Sequence, residues 1–340
     1  MSESTERGSG LAAVRARAAL RDAGLDPTVE LTPASSVTNE VWLSPTHVVR
    51  VNTSRRPRLA REARIAQVLP RAVRYPDVVR AGTRLGEEWL ISTRAPGTAL
   101  AHVWPDLDGP GREFAVRELA RMLEALHGTP APAGLAPLEG APHPLAFDTP
   151  DPLCPLLSAL DRLERVDNVD ALVVREARDA VRAYAPFVLD GAHTTLVHGD
   201  LTFENVLAAG PAVTALLDLE WARVGPPDLD LDILLRMCAH PELHVAPAHR
   251  KRAHANDYAP VPHWLADAYP GLFAEPHLLE RLRLYSIAFN VRDLILDPPA
   301  GSLRQVPPLH PYHRLIRVLS GRSHLDELER QGFFSRLPVP

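Results

Sequence analysis

Apolar residues recur at helical spacing from Leu11 to Ala23, with Leu11, Val14 and Ala18 on one face, and the pattern stops at Gly24. This predicts a first helix. Two runs rich in β-branched residues follow, Val37 to Leu43 and His47 to Val51, divided by Ser44-Pro45-Thr46, a hairpin signature. Leu59 to Leu69 returns to the helical period and stops at Pro70. Val78 to Ala81 and Glu88 to Thr93 read as two further strands around Gly82 and Gly86. Beyond the turn-rich Arg94-Ala95-Pro96-Gly97, helical patterns dominate, notably Glu113 to His127 and Asp170 to Ala185. Gly128 to Pro152 carries too many Pro and Gly residues for a long helix or strand and is expected to be a surface loop. The expected fold class is α+β, with a small sheet-containing N-terminal lobe over 1–94 and a helical C-terminal lobe over 95–340.

Composition supports two lobes and narrows the partners. The 340 residues are about twice the ~150 typical of one domain, and 46% hydrophobic with 23% charged residues suffices for a sizeable core. A net charge of -5 gives no electrostatic reason for nucleic acid or an anionic membrane as partner. No run approaches the ~18 apolar residues of a membrane span, and Met1 to Glu6 lacks a signal-peptide pattern. Cys154 and Cys238 are the only cysteines, too few for a disulfide framework, so a cytoplasmic location is expected. Lys251 is the only lysine.

Chemistry concentrates between Thr195 and Ile233. Leu196-Val197 reads as a short strand, followed by His198-Gly199-Asp200-Leu201-Thr202-Phe203-Glu204-Asn205 and the apolar Val206-Leu207. A second apolar run, Val213 to Leu217, leads into Asp218-Leu219-Glu220. An Asp and an Asn five positions apart, with a second Asp at the end of a neighbouring strand, is the donor pattern of metal-assisted phosphoryl transfer. One carboxylate orients a hydroxyl, while an amide and another carboxylate offer hard oxygen ligands to Mg²⁺. The alternative is an Asx turn at 200 and 205 with Asp218 capping the next helix.

His198-Gly199-Asp200 with Asn205, then Asp218-Leu219-Glu220-Trp221, resembles the aminoglycoside phosphotransferase and choline kinase family of small-molecule kinases. Arg94 to Gly97 looks like the hinge of that family, Leu123-Glu124-Ala125-Leu126-His127 like its C-lobe helix, and Gly225 to Asp230 like the stretch after its metal Asp. The anchors run from about Val37 to Asp232, and the last hundred residues match nothing identifiable. The resemblance implies a bilobal protein-kinase-like fold, with ATP or GTP as co-substrate and Mg²⁺ as cofactor. It makes Asp200 the catalytic base or the residue that orients the hydroxyl, and Asn205 and Asp218 the Mg²⁺ ligands. Gly199 stands where a protein kinase carries Arg, which favours a small-molecule hydroxylated substrate over a protein. His198 and Glu220 read as structural groups holding the loop or the metal site.

The family normally carries Lys on its third strand, and this chain has Arg50 in Val48-Val49-Arg50-Val51. Leu59, Glu62, Ala63 and Ala66 share one helix face, so Glu62 lies along an apolar stripe and requires a counter-charge. Arg50 is the natural partner, because its planar fork suits carboxylate and phosphate alike. A neighbouring Arg on a solvated helix face is the alternative. Thr32 to Asn39 offers small polar residues for a turn under a nucleotide, and by analogy the backbones of Thr93 and Ala95 meet the purine. His240, His244, His249 and His254 lack a regular metal spacing and read as a solvated loop near the substrate entrance. Glu204, Asp257, Asp267 and Asp293 are candidates to line a cleft for an amine-bearing acceptor, the alternative for Asp293 being a structural salt bridge to the adjacent Arg292 or another arginine. The expected function is O-phosphorylation of a small molecule, with an antibiotic among the candidates; the alternatives are a metabolite kinase acting on an amino alcohol or sugar, or a catalytically weak kinase-like regulator.

Overall fold

The computed structural model describes residues 2–34, 36, 38–54, 58–135, 138–189, 193–301 and 303–337, with the side chains of 2–10 and 304 left aside. Met1, Ser35, Val37, Ala136 and Pro137, which belong to the polar start, the expected nucleotide turn, the first strand and the expected loop, lie outside the described residues.

The chain opens with helix α1 (Ser2–Asp22), which starts well before Leu11 because polar residues extend a helix once packing of its apolar end has nucleated it. Strands β1 (Thr32–Ala34), β2 (Glu40–Leu43) and β3 (His47–Asn52) follow, then helix α2 (Leu59–Ala66) and strands β4 (Val78–Arg84) and β5 (Glu87–Thr93). They form one antiparallel sheet in the order β1-β2-β3-β5-β4, and the expected hairpin is the β2–β3 pair, Trp42 opposite Val49.

Strand periodicity decides what each face does. Val49 and Val51 point with Trp89 and Ile91 onto Ala16, Ala19 and Leu20 of α1, all buried. Arg50, between the two valines and opposite Leu90, therefore faces the other side. There α2 packs through Leu59 and Ala63 onto Leu90, so Glu62 and Arg50 are brought to the same face.

After the connector come strand β6 (Thr98–Ala99) and helices α3 (Leu100–Val103), α4 (Gly109–His127), α5 (Cys154–Leu163) and α6 (Ala171–Val188). Asp108 and Asp170 cap α4 and α6 by accepting from the backbone N–H of Gly111 and Leu172. The 128–152 segment is irregular but is not the surface loop expected of it. His143, Leu145 and Phe147 are buried in it, because Asp232 gives the His143 ring a buried partner at 2.9 Å.

Next come β7 (Leu196–Val197), β8 (Val206–Ala209), β9 (Ala212–Leu216) and β10 (Arg223–Val224). β7 pairs with β10, and β8 lies between β6 and β9. The rest of the described chain is helical: α7 (Asp228–Ala239), α8 (Ala255–Tyr258), α9 (Val261–Ala268), α10 (Leu278–Leu296), α11 (Pro311–Leu319) and α12 (His324–Arg330). The fold is thus sheet-rich at its N-terminal end and helical beyond. Among the described residues no helix is long and apolar enough to cross a membrane.

Candidate active site

The segment after β7 is tied down from below by one buried carboxylate. Asp230, wholly buried on α7, accepts from the backbone N–H groups of His198 at 2.7 Å and Gly199 at 2.8 Å, and from His127 Nε2 at 3.0 Å. Burial works to raise its pKa, but the hydrogen bond and charge of His127, with His198 and the Gly199 N–H, together outweigh that and hold it below the ordinary value. Gly199 has φ +80°, and a Cβ there would sit 2.4 Å from the Trp221 carbonyl oxygen. Only glycine fits, so an arginine is excluded at this position by space as well as by sequence. The His198 ring accepts from the Asp200 N–H at Nδ1 (3.3 Å) and donates from Nε2 to the Leu217 carbonyl at 2.9 Å. It joins the two loops.

These contacts present Asp200 and Asn205 together. Asn205 Nδ2 donates to the Asp200 carbonyl at 2.9 Å, which orients the amide and leaves Oδ1 as its remaining oxygen. No hydrogen bond reaches the Asp200 carboxylate among the described residues. Burial, with Asp218 adding to it against the opposing effect of His198, pushes its pKa up to about 6.

Asp218 follows β9 in the left-handed region, φ 61° and ψ 62°, an uncommon conformation for a residue with a side chain. What holds it is Glu62, whose Oε1 accepts from the Leu219 N–H at 2.9 Å and from the Tyr75 hydroxyl at 2.7 Å. Arg50 completes the junction. Its Nη1 lies 2.7 and 2.8 Å from the two Glu62 oxygens, and its Nη2 lies 2.8 Å from Asp218 Oδ1. The expected Arg50–Glu62 pair thus forms, and the guanidinium extends it to Asp218. Burial opposes the charge on Arg50, but Glu62 and Asp218 keep it protonated. Glu220 is buried beside them, with Asn39 Nδ2 at 3.1 Å and Arg58 Nη1 at 3.3 Å, while Arg58 lies over the Trp221 ring at 3.8 Å. Burial and the adjacent Asp218 raise the Glu220 pKa.

Arg50, Thr93, Ala95, Asn205 and Asp218 line one cavity of about 320 Å³, together with Val48, Leu207 and Leu217. Glu62 stands behind Arg50, outside that lining. Thr93 spends its N–H on the Asp77 carbonyl at 2.9 Å, which leaves Ala95 as the position whose N–H has no backbone partner among the described residues. Asp218 and the Asn205 amide oxygen are hard donors at the edge of a region crowded with Asp200 and Glu220, and such a set suits Mg²⁺, which takes one or two protein oxygens and completes its shell with phosphate and water. Among the described residues no group of three His, Cys, Asp or Glu side chains forms a metal cage.

The other expected groups are differently placed. Asp293 is ion-paired to Arg292 at 3.0 Å and Arg314 at 2.6 Å and Asp257 to Arg112 at 2.8 Å, while Glu204 lies 3.0 Å from His102 Nε2. Asp267 is exposed on α9. Two of the four carboxylates proposed for an amine, Asp257 and Asp293, are already paired with arginine, and Glu204 also accepts from the Ala246 N–H at 2.7 Å. The histidines do not form one solvated loop either: burial pushes His240 down to about 4 and His244 down to about 3, and His249 stacks on His102 at 3.7 Å. Sequence reasoning missed Arg58 and Tyr75 as parts of the site, and had Asn39 and Asp230 only as the ends of the segments 32–39 and 225–230, without their contacts to Glu220 and to the Asp200 loop. The alternation Asp228-Leu229-Asp230-Leu231-Asp232 at the start of a helix was the one available signal, since carboxylates there are fully buried.

A family model described as APH, phosphotransferase enzyme family, matches residues 30–265. Among solved structures, aminoglycoside phosphotransferase APH(4)-Ia is similar with a TM-score of 0.60 at 16% identity, covering 91% of this chain and 98% of that one. Aminoglycoside 2'-phosphotransferase-IIIa in its GDP complex gives 0.55 at 17%, covering 89% and 94%. A choline/ethanolamine kinase family protein from Mesorhizobium loti gives 0.54 at 19%, covering 94% and 100%. At these identities the likeness is one of fold, that of the protein-kinase-like aminoglycoside kinases. No curated protein matches the chain. With more than half of its length matched by the family model, and with the sheet, the loop and the paired carboxylates arranged as described, the chain belongs to the phosphotransferase enzyme family.

Proposed function

We propose that this protein transfers the γ-phosphoryl group of ATP or GTP to a hydroxyl of a small molecule. The observation that carries the reading is the convergence of Arg50, Asn205 and Asp218 on one cavity wall, with the Asp200 carboxyl tuned to about 6 next to Asn205. The nucleotide lies between the lobes 1–94 and 95–340, its base near Ala95 and its phosphates toward Arg50. Arg50, aimed by Glu62, stabilises charge on the phosphates in place of the usual lysine.

Asp200 accepts the proton of the acceptor hydroxyl as its oxygen forms a bond to the γ-phosphorus. The bond from that phosphorus to the β-γ bridging oxygen breaks, and its electron pair leaves with the nucleoside diphosphate. Mg²⁺, held by Asn205 and Asp218, supplies neutralisation of phosphate charge when bound. His198 and Asp230 keep the Asp200 loop in place, so no reorganisation is needed at the moment of transfer.

Related structures support both nucleotide and acceptor class: a variant of APH(4)-Ia is a ternary complex with AMP-PNP and hygromycin B, and APH(2")-IIIa is a complex with GDP and kanamycin. Aminoglycoside-like antibiotics therefore head the acceptor panel, with amino alcohols and sugars next, and a cytoplasmic location fits the nucleotide supply. The test is a panel of hydroxylated compounds with ATP or GTP and Mg²⁺, read by phosphate mass gain and acceptor-dependent release of nucleoside diphosphate. Turnover that vanishes in Asp200→Ala while nucleotide binding persists is the expected result. Full turnover by that variant on a confirmed acceptor would overturn the assignment.

A further inference from the structure

A second cavity, of about 490 Å³, lies among α7, α10, α11 and α12, apart from the residues that line the nucleotide cleft. Its wall holds five arginines, Arg236, Arg314, Arg317, Arg322 and Arg330, against one carboxylate, Glu327. The balance of partners is uneven. Arg236 has Asp232 at 3.2 Å, Arg314 has Asp293 at 2.6 Å and Arg330 has Glu327 at 2.5 Å. Arg317 and Arg322 have no carboxylate partner among the described residues.

The positive field is felt by neighbouring groups. Burial, and after it Arg236, hold His240 at about 4 and His324 at about 3, so both rings are neutral and the excess charge belongs to the arginines. Buried polar atoms on the same wall also lack partners among the described residues: Arg236 Nε, Asn290 Oδ1, Arg314 Nε and His324 Nε2. Arg236 and Asn290 are almost wholly buried, 1% and 0% exposed, so their unpaired atoms lie behind the wall, and the charged surface that a ligand meets is that of the half-buried Arg317 and the exposed Arg322. A concave site with low-dielectric walls and one sign of charge concentrates a ligand of the opposite sign, and its size is that of a small-molecule pocket.

We propose that this cavity binds a small molecule bearing an oxyanion, either a phosphate ester or a polycarboxylate, with Arg317 and Arg322 as the charges that receive it. The site is independent of the phosphoryl-transfer reading, because its occupancy is read as binding and not as turnover. Arg314 and Arg236 orient the pocket through Asp293 and Asp232, and the ligand supplies the missing anionic partner to the rim.

Isothermal titration with inorganic phosphate and with citrate, at fixed ionic strength, tests this on the full-length protein and on the double variant Arg317→Ala/Arg322→Ala. Neither residue makes an ion pair among the described residues, so the variant keeps the fold, which circular dichroism verifies; Arg317→Gln alone serves where it does not. The expected result is binding of at least one probe, weakened about tenfold or more by the double variant. Preference for phosphate or for citrate identifies which kind of oxyanion the pocket takes. The proposal is overturned by absence of binding with both probes. It is equally overturned by unchanged affinity in the variant, the result that phosphate held instead at Arg50 would give.

Discussion

Replacing Asp200 by Asn removes a charge that the folded protein holds at a disadvantage. The carboxyl is raised from 3.8 to about 6, mainly by burial, and at about 1.36 kcal/mol per pH unit this corresponds to an upper bound of about 3 kcal/mol. The group is half-buried and keeps solvent contact, so about 1–2 kcal/mol is the reasonable expectation. The sign follows from linkage. A carboxyl whose folded pKa exceeds its unfolded value favours the folded state most when protonated, below about pH 4, and loses that advantage as pH rises through about 6. Asp200→Asn, always neutral, therefore matches the parent protein near pH 4 and exceeds it at pH 8. At roughly 2 °C per kcal/mol for a chain of this size, the excess is about 2–4 °C in Tm. Differential scanning calorimetry of both proteins from pH 4 to pH 8 measures it, and the other carboxylates cancel in the comparison. In the same proteins kcat/KM of the parent rises through about pH 6 while the variant is inactive. An Asn variant less stable than the parent at pH 8, or a gap independent of pH, would refute the reasoning.

Glu62→Ala leaves Arg50, Tyr75 and the Leu219 N–H without their shared acceptor. A loss of about 3 kcal/mol or more in urea unfolding and a weakened affinity for the nucleotide are expected. Gly199→Ala drives a Cβ against the Trp221 carbonyl at a positive φ, and a destabilisation of about 2 kcal/mol or more should appear in the same assay. Arg223 on β10 is 4% exposed, none of its three guanidinium nitrogens has a hydrogen-bond partner among the described residues, and burial pushes its pKa down to about 10. Arg223→Met should therefore raise stability by about 1–3 kcal/mol at neutral pH, measured by denaturant midpoint; a clear loss would mean that the guanidinium has a partner in solution.

Local pattern carried much of this molecule. The alternation Val49-Arg50-Val51 placed Arg50 opposite the α1 face, and the helical stripe of α2 placed Glu62 among apolar neighbours, so two short-range periodicities sufficed to pair them. The spacing of Asp200, Asn205 and Asp218 was likewise readable, because a loop between short strands leaves few ways to present them. Helix ends were less legible, as α1 shows, since tertiary packing and not propensity stabilises a helix. What only the tertiary structure decided were the partners from distant segments. Asp230 supports the loop about thirty residues before it, Tyr75 and Leu219 meet on Glu62, and Asp293 takes the distant Arg314 in addition to the adjacent Arg292. A buried charge must find an opposite charge or a donor, but the chain offers dozens of arginines and carboxylates. Which of them meet is set by the packing of sheet and helices, and no local pattern contains that information.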